Sequence, residues 1–337
     1  MNIDTILLAA GGTVAMAVFG ILAGLWYVGL DRVLAARMQA RIGPPVRQPF
    51  IDMAKLMCKE NVVPANAVPW LFNGAPLAAL ASSITILLYI PMASFGFLPV
   101  LGAYGDLILI MYLLIFPALA MVVGGLSSGS PYATIGSQRE MVTMIAYELP
   151  LGATIVAFAW KLVQSGIANP FSLATLSATP IWTLVGPVGF MGLLLLLATM
   201  VLVVPGELGR IPFDSPEAET ELAGGLLVEY SGRNLALFYL SLAVKTIVVL
   251  SLIVSLFFPW NLTDFVAITC CPLLAAAADV AFFLVKLLVV LFFSVTLIRI
   301  SVARFRINQV VDIYWKILGA LSIVGLILVM VDAYILR

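Results

Sequence analysis

The sequence contains no histidine and only three cysteines among its 337 residues. Cys58 stands alone and Cys270 and Cys271 are adjacent, so the spacing of neither a metal site nor a disulfide framework is present. A haem or zinc site built by this chain alone is therefore not expected. We predict no catalytic residue, no metal ligand and no cofactor in this chain, and any redox centre would belong to a partner subunit.

Charged residues are also scarce. They make up 10% of the chain, whereas a soluble domain carries about 25%. Lys and Arg together number 17, as do Asp and Glu, so the net charge is zero and nothing favours binding to nucleic acid. A cleaved signal peptide is not expected, because the first four residues carry no basic group and the apolar run that follows is too long.

Long apolar runs, in contrast, are abundant. Hydrophobic residues make up 63% of the chain and the mean hydropathy is +1.15. A helix of about 20 apolar residues crosses the ~30 Å hydrocarbon core of a bilayer. The sequence therefore predicts an all-α polytopic membrane protein, a single transmembrane domain over residues 1–337. The eight predicted spans are residues 5–30, 72–96, 106–126, 141–164, 181–204, 235–258, 279–298 and 315–335.

The distribution of basic residues predicts the orientation. Lys and Arg concentrate in the loops after spans one, three, five and seven, and are missing from the loops after spans two, four and six. By the positive-inside rule the first set of loops is cytoplasmic. We therefore expect a multi-pass protein of the plasma or inner membrane with both termini outside.

The first cytoplasmic loop is strongly basic. It begins with Arg32, Arg37 and Arg41, and a short amphipathic segment further along carries Asp52 and Lys55 on its polar side. The apolar side of that segment consists of Phe50, Ile51, Ala54 and Met57. Such a segment suits a helix lying in the membrane interface. The arginines either anchor the loop to anionic lipid, or they line a charged cleft and dock a cytoplasmic subunit.

Two glutamates lie on the fourth span. Glu140 is expected at its cytoplasmic mouth, and Glu148 lies eight residues further, about 12 Å deeper at 1.5 Å per residue. A carboxylate at that depth is costly and marks a functional site by default. The alternative is a neutral Glu148 that hydrogen-bonds to a neighbouring helix and has only a structural role.

The loop after span five is rich in carboxylates. Pro212 and Pro216 exclude one continuous helix, whereas the segment after Pro216 can run helically. Glu217 and Glu221 would then share a face close to that of Glu229. Clustered carboxylates between two apolar runs favour shared protons over independent titration. The alternative is a solvated acidic loop that balances the basic first loop. The carboxylates of this loop are Glu207, Asp214, Glu217, Glu219, Glu221 and Glu229.

Two lysines are expected near the middle of the membrane. These are Lys245 in span six and Lys286 in span seven, both too far from the helix ends to reach water easily. A lysine in low dielectric can exchange protons with carboxylates. Asp279 lies seven residues before Lys286, so a static ion pair is the alternative. Lys161, near the end of span four, is expected to extend to the interface.

Three motifs in order resemble one known family. They are D-R-x-x-x-A-R-x-Q-x-R-x-G-P at residues 31–44, R-E-M…Y-E-L at residues 139–149 and R-x-P-F-D-x-P-E-A-x-x-E-L…E-Y-S-G at residues 210–232. Together they resemble the subunit that joins the redox arm to the membrane arm in respiratory complex I. That family extends to the energy-converting membrane-bound nickel–iron (NiFe) hydrogenases. The resemblance covers nearly the whole chain.

The resemblance implies roles for the charged residues. The loop that shapes the interface with the redox arm, and that borders the quinone cavity in complex I, would contain Arg32, Arg37, Arg41, Asp52, Lys55 and Arg210. An acidic path that couples redox events to proton movement would contain Glu148, Glu207, Asp214, Glu217, Glu219, Glu221 and Glu229. Glu140, Lys245 and Lys286 extend the same predicted path.

Departures from complex I favour the hydrogenase branch. The connection after Gly43-Pro44 is only a few residues long, and Leu208-Gly209 replaces a threonine-asparagine pair. The expected function is a membrane subunit that couples electron transfer in a peripheral, ferredoxin-linked module to proton or sodium translocation. Its expected partners are hydrogenase-like large and small subunits, an iron–sulfur ferredoxin-like subunit and antiporter-like membrane subunits. Iron–sulfur clusters and a NiFe centre would lie in those partners.

Two other functions remain open. The chain could supply the quinone site of a complex I that passes electrons from NADH or another donor to quinone. It could instead be a stand-alone ion transporter, although no clear inverted repeat or broken midplane helix supports that interpretation.

Overall fold

In a computed structural model of the chain, residues 3–90, 101, 104–265 and 272–335 are described. Within these ranges the chain is nearly all helical, and eight helical segments are long and apolar enough to cross a membrane. The predicted fold class and the predicted number of spans are confirmed.

The helices follow one another as α1 (Ile3–Met38), α2 (Gln48–Cys58), α3 (Pro69–Leu87), α4 (Leu107–Ser127), α5 (Pro131–Gln164), α6 (Leu173–Ala178), α7 (Pro187–Glu207), α8 (Glu219–Leu222), α9 (Gly232–Phe257), α10 (Pro272–Leu291), α11 (Leu297–Ser301), α12 (Ile307–Asp312) and α13 (Gly319–Ile335). Proline occupies the first turn of α2, α3, α5 and α7, where its missing N–H leaves no hydrogen bond unmade.

Two helices are longer than the apolar runs predict. The first span was expected to end at residue 30, but α1 continues to Met38 and carries the first arginines on helix. The fourth span was expected to begin at residue 141, but α5 begins at Pro131. The Gly- and Ser-containing segment before residue 141 is therefore helix, not loop.

Some predicted features lie outside the described residues. They are the end of the predicted span 72–96, the adjacent cysteines at 270 and 271, and the extreme termini.

Helix α9 lies at the centre of the bundle, and almost its whole length is buried. Helices α1, α2, α3 and α10 pack against α9, while α5, α7 and α13 pack against one another. Gly24 of α1 lies against the backbone carbonyl of Ala243 of α9, so any side chain at residue 24 would collide with it. This close approach fixes α1 beside the middle of α9.

Two π-helical turns interrupt the last two spans. They lie at Phe292–Thr296, between α10 and α11, and at Ile313–Leu318, between α12 and α13. Turns of this kind shift the register of a helix and are frequent at functional sites. Here they flank the connection 302–306, which packs against the acidic loop after α7.

The acidic loop is not the helix that was predicted after Pro216. It contains the one-turn helix α8, with 3-10 turns at Ser215–Glu217 and Gly225–Leu227 on either side, and a break after α8 where Ala223 and Gly224 take positive φ values of 54° and 104°. Gly225 also has a positive φ and lies too close to the carbonyl of Pro216 to accept a side chain. The prediction of one helical run was wrong because these residues fold the loop back on itself.

Candidate functional site

An ion pair between two spans lies at the centre of the site. Glu207 is the last residue of α7 and Lys245 lies midway along α9, with 2.8 Å between Oε1 and Nζ. Their side chains are 3% and 2% exposed. Removing two charges from water is costly, and only their mutual attraction offsets the cost. Besides this ion pair, the hydroxyl of the buried Tyr147 lies close enough to the Glu207 carboxylate to interact with it.

Two buried tyrosines close the space around this pair. Tyr314, from the π-helical turn, donates a hydrogen bond of 3.2 Å to the carbonyl of Leu202, and its ring lies against Gly206. A side chain at residue 206 would occupy the same volume as that ring. Tyr147 of α5 packs edge-on against Tyr314, with 6.3 Å between the ring centres. The end of α7 is thereby shielded from lipid.

A cavity of about 10 Å³ brings four carboxylates together. It is lined by Glu140 of α5, Glu207 of α7, and Asp214 and Glu217 of the acidic loop. A cavity of roughly this size is at the lower limit for one water molecule, and water requires polar partners such as these. A single water there could pass a proton between the carboxylates.

The environments of Asp214 and Glu217 differ. Arg304 donates two hydrogen bonds to Asp214, one of them 2.8 Å from Nε to Oδ1. These bonds raise the pKa of the Arg304 guanidinium. Burial raises the pKa of Glu217 to about 6, although the charge of Arg210 opposes the shift. Glu217 can therefore gain and lose a proton near neutral pH.

A larger cavity of about 500 Å³ lies between α1, α2, α9 and the start of the acidic loop. Arg32, Asp52, Lys55 and Arg210 line it, and Arg32 contacts Asp52 at 3.0 Å. Four of the six residues predicted at the interface with the redox arm are therefore together around one cavity. Arg37 and Arg41 are exposed beyond the cavity, so the structure does not bring them into this group.

The two cavities share a wall. Leu208, Gly209, Glu217 and Leu242 line both of them. Glu217 therefore stands between the large cavity and the carboxylate cavity. Since buried charges interact strongly over a few ångströms, a change of charge in the large cavity is felt by the carboxylates behind this wall.

Helix α2 presents its polar side to the large cavity. Asp52 and Lys55 line the cavity, whereas Ile51 and Met57 on the opposite side are exposed. Phe50 packs near α1 and α9. The predicted amphipathic helix is thus present, with its polar face turned toward the protein and an apolar face turned outward.

Other members of the predicted acidic path lie apart. Glu219 and Glu221 are exposed, and Glu221 forms an ion pair with Arg139. Glu229 is half-buried at the far end of the loop. Glu148 is half-buried two turns along α5 from Glu140, within range of the charge of Glu207.

Glu140 was predicted at the cytoplasmic mouth of span four, but the structure places it in the interior of the bundle. Because α5 begins ten residues earlier than expected, Glu140 lies well inside the helix and is 7% exposed. Its side chain is part of the wall of the small cavity. The correction places Glu140 beside Glu207 instead of at the entrance of the path.

Lys286 lies far from the cluster. It donates hydrogen bonds to the carbonyls of Phe258, at 2.9 Å, and Trp260, at 2.7 Å, just beyond the end of α9. About 20 Å of helix separate Lys245 from Phe258. The alternative of an ion pair with Asp279 was wrong, because Asp279 accepts hydrogen bonds from the N–H and hydroxyl of Thr263.

Lys161 does not extend to the interface. It is 4% exposed and lies 3.0 Å from Asp332 of α13, which also accepts a hydrogen bond from the N–H of Gly186. A second buried pair joins Asp31 to Arg299 at 3.0 Å. Sequence reasoning missed both pairs. The sequence did indicate that such pairs exist, because Asp31 lies at the end of one predicted span and Asp332 lies within another, and a carboxylate in a span needs a partner.

The fold and the site define a polytopic membrane protein with ion-paired and clustered charges in its core. The chain belongs to the NADH dehydrogenase family, whose sequence profile matches residues 12–330. This match confirms the resemblance predicted from the three motifs.

Two relatives are similar over almost their whole length. The chain is 32% identical to a subunit of the F(420)H(2) dehydrogenase of Methanosarcina mazei, over 94% of this chain and 91% of the relative. It is 35% identical to a subunit of an NADH-quinone oxidoreductase of Rhizobium meliloti, over 89% of each. Both relatives thus belong to oxidoreductases.

A solved structure shares the fold. It is a chain from the structure of the membrane-bound sulfane sulfur reductase, described as an archaeal respiratory membrane complex. The TM-score is 0.82 at 29% identity, and the match covers 95% of this chain and 99% of the other. The chain is therefore a membrane subunit of the kind found in multisubunit respiratory complexes, as the motifs predict.

Proposed function

We propose that the chain, without catalysing a reaction itself, couples electron transfer in a peripheral module to the movement of a proton or sodium ion. The observation that carries this proposal is the wall shared by the large cavity and the carboxylate cavity, with Glu217 in it. An electron arriving next to the large cavity changes the electrostatic potential at Glu217 and at the carboxylates behind it. The ion pair of Glu207 and Lys245 lies beyond that wall, at the carboxylate cavity.

The module we propose is hydrogenase-like and ferredoxin-linked. Its large and small subunits and an iron–sulfur protein would sit over the large cavity, and antiporter-like subunits would continue the membrane part. All iron–sulfur clusters, and any NiFe centre, would belong to those subunits. The short first loop after Gly43 and the Leu208-Gly209 pair support this branch. The large cavity would face the cytoplasm, with both termini on the other side.

A quinone site is the second candidate. The large cavity, at about 500 Å³, falls within the range of roughly 300 to 1,000 Å³ that is usual for small-molecule sites. Its lining combines the apolar residues Leu25 and Met53 with the charged residues Arg32 and Asp52. Such a lining suits a molecule with an apolar body and a polar head. In this case the acceptor would bind in this chain instead of in a partner.

The first prediction concerns Glu207→Gln in the purified complex, reconstituted in liposomes. We expect ion transport per electron to fall by at least about tenfold, since a positioned proton-transfer group contributes 10²–10⁴-fold. Electron transfer to an artificial acceptor should change much less. The measurement is ion uptake and electron transfer in the same vesicles.

Glu219→Gln is the matched control. It neutralises a carboxylate of the same loop that is exposed and outside both cavities. We expect transport per electron close to that of the unmodified complex. Equal coupling in Glu207→Gln and the control would contradict the proposed function. Reduction of quinone, inhibited by substitutions that fill the large cavity, would favour the second candidate over the hydrogenase-like module.

A further inference from the structure

The carboxylates of the small cavity are unequally neutralised. Asp214 is held by Arg304, and Glu207 is held by Lys245. Glu140 and Glu217 complete the lining, and among the described residues neither of them is in an ion pair. A positively charged species that enters the cavity would meet these two groups and the carboxylate of Glu207. The site is therefore arranged to receive a cation.

The position next to Glu207 is already filled. The ammonium of Lys245 lies 2.8 Å from Oε1, and Lys245 is 1% exposed. Glu207 is its only ion-pair partner among the described residues. For another cation to take this place, the ammonium would have to move away from its ion-pair partner, which is strongly unfavourable in a buried site.

The carboxylates also do not converge as a metal site. Among the described residues, no three acidic side chains lie close enough together to hold a metal ion. Hard cations need a set of oxygen ligands around them. A proton has no such requirement, because one water in the cavity can hand it to the carboxylate of Glu207.

We propose that Lys245 determines the ion specificity of this site, because its ammonium occupies the cation position at Oε1 of Glu207 and so excludes sodium while protons pass. This inference rests on the proposed function and names the ion that this site handles. Removing the ammonium leaves a buried carboxylate with an empty cation position, which sodium can fill. Sodium bound there competes with the proton at Glu207.

The test uses Lys245→Met in the whole complex in liposomes. Coupled electron transfer is measured from low to high sodium at constant ionic strength, with choline replacing sodium. The quantity compared is the rate of the variant divided by the rate of the unmodified complex at each concentration. This ratio cancels any sodium dependence that arises in other subunits. We expect it to fall several-fold as sodium rises.

Two further variants isolate the cause. Glu207→Gln combined with Lys245→Met removes the carboxylate as well, so its ratio should not change with sodium. Lys286→Met removes another lysine within a span, one that is bonded to the carbonyls of Phe258 and Trp260, and its ratio should also stay constant. A constant ratio for Lys245→Met itself would overturn the proposal.

If Lys245→Met fails to assemble, Glu207→Gln alone decides. If sodium does not enter the site, the residual transport of Glu207→Gln should change with sodium concentration in the same way as the transport of the unmodified complex. A changed dependence would show that sodium binds at Glu207 and would overturn the proposal. If Glu207→Gln loses coupling and also changes its sodium dependence, only the proposal about Lys245 fails and the proposed coupling function stands. If Glu207→Gln couples normally, the proposed coupling function fails as well.

Discussion

At the scale of single residues, the carboxylates of the acidic loop differ in their access to water. Glu219 and Glu221 are exposed, whereas Asp214 is 8% exposed and bound to Arg304. Glu217 lies between these extremes, in the wall between two cavities. Its access to both cavities, together with a pKa near neutrality, makes it the residue best placed to take a proton from one cavity to the other.

The titration of Glu217 can be observed directly. Burial raises its pKa to about 6 from a usual value near 4.5, so its acid form persists as the pH rises from 4.5 and is lost through pH 6. We expect an infrared band of a protonated carboxyl group that disappears over this range. Infrared difference spectra of the purified complex, recorded across a pH series, provide the measurement.

Glu217→Gln should remove that band, whereas Glu219→Gln should retain it with a slightly lower midpoint, because the charge of Glu219 helps to raise the pKa of Glu217. A band that survives in Glu217→Gln would assign the titration to another carboxyl group. A midpoint near 4.5 in the unmodified complex would mean that Glu217 is better solvated than the structure indicates.

Single residues were partly predictable from the sequence. Lys245 was recognised as a charge within the membrane because it interrupts an apolar run, whereas Glu207 was recognised only as a member of the carboxylate-rich loop. Their pairing was not recognised, since hydropathy gives the depth of a residue but not the direction of its side chain. The same limit explains Lys161, whose partner Asp332 lies on a span far away in sequence.

At the scale of elements, the connection 302–306 holds the acidic loop in place. Arg304 binds Asp214 through its Nε and Nη2 atoms, and its Nη1 donates a hydrogen bond of 3.2 Å to the hydroxyl of Thr220. Phe305 packs against Phe213, with 5.6 Å between ring centres. Since π-helical turns lie on both sides of this connection, a small change of register there would move the loop.

Arg304→Lys should loosen the acidic loop. A lysine cannot reproduce the two parallel hydrogen bonds, and hydrogen bonds to charged groups contribute about 1.5–3 kcal/mol. We expect a loss of roughly 2 kcal/mol in local stability, which corresponds to about 30-fold faster amide exchange over residues 212–222. Hydrogen exchange with mass spectrometry measures this change.

The matched control for Arg304→Lys is Lys316→Ala. Lys316 pairs with Asp312 at 2.7 Å, but both side chains are mostly exposed, and such pairs contribute about 0–1 kcal/mol. Exchange over the acidic loop should not change. Equal exchange in Arg304→Lys and the unmodified protein would mean that packing of Phe213 alone holds the loop.

The membrane-spanning helices were predicted well because a long apolar run is enough to identify each of them. All eight spans were found because each needs about 20 apolar residues, yet their ends were displaced wherever polar residues continue a helix. The start of α5 at Pro131 and the end of α1 at Met38 are the clearest cases. The acidic loop could not be predicted, since the positive φ of Ala223 depends on packing that the local sequence does not specify.

At the scale of the whole molecule, the orientation in the membrane is a prediction that Cys58 can test. Cys58 is exposed at the end of α2, beside the large cavity that we place on the cytoplasmic side. With Cys270→Ser and Cys271→Ser, Cys58 is the only thiol left in the chain. An impermeant maleimide should label it in inverted membrane vesicles and not in intact cells.

Cys58→Ser in the same background should show no labelling in either preparation. Labelling in intact cells would reverse the orientation and place the large cavity outside. If neither preparation is labelled until the complex is dissociated in detergent, a partner subunit covers Cys58, and labelling of intact vesicles stripped of peripheral subunits without detergent then gives the side.

The ion pair of Glu207 and Lys245 has a consequence for biogenesis. Glu207 ends the fifth span and Lys245 lies within the sixth, so the two charges enter the bilayer on consecutive helices. A lysine near the middle of a lone inserting helix costs about 3 kcal/mol. Insertion of α7 and α9 as a hairpin offsets that cost, because each helix brings the counter-charge of the other. We therefore expect the newly made chain to acquire its central ion pair during insertion, before the last two spans have been made.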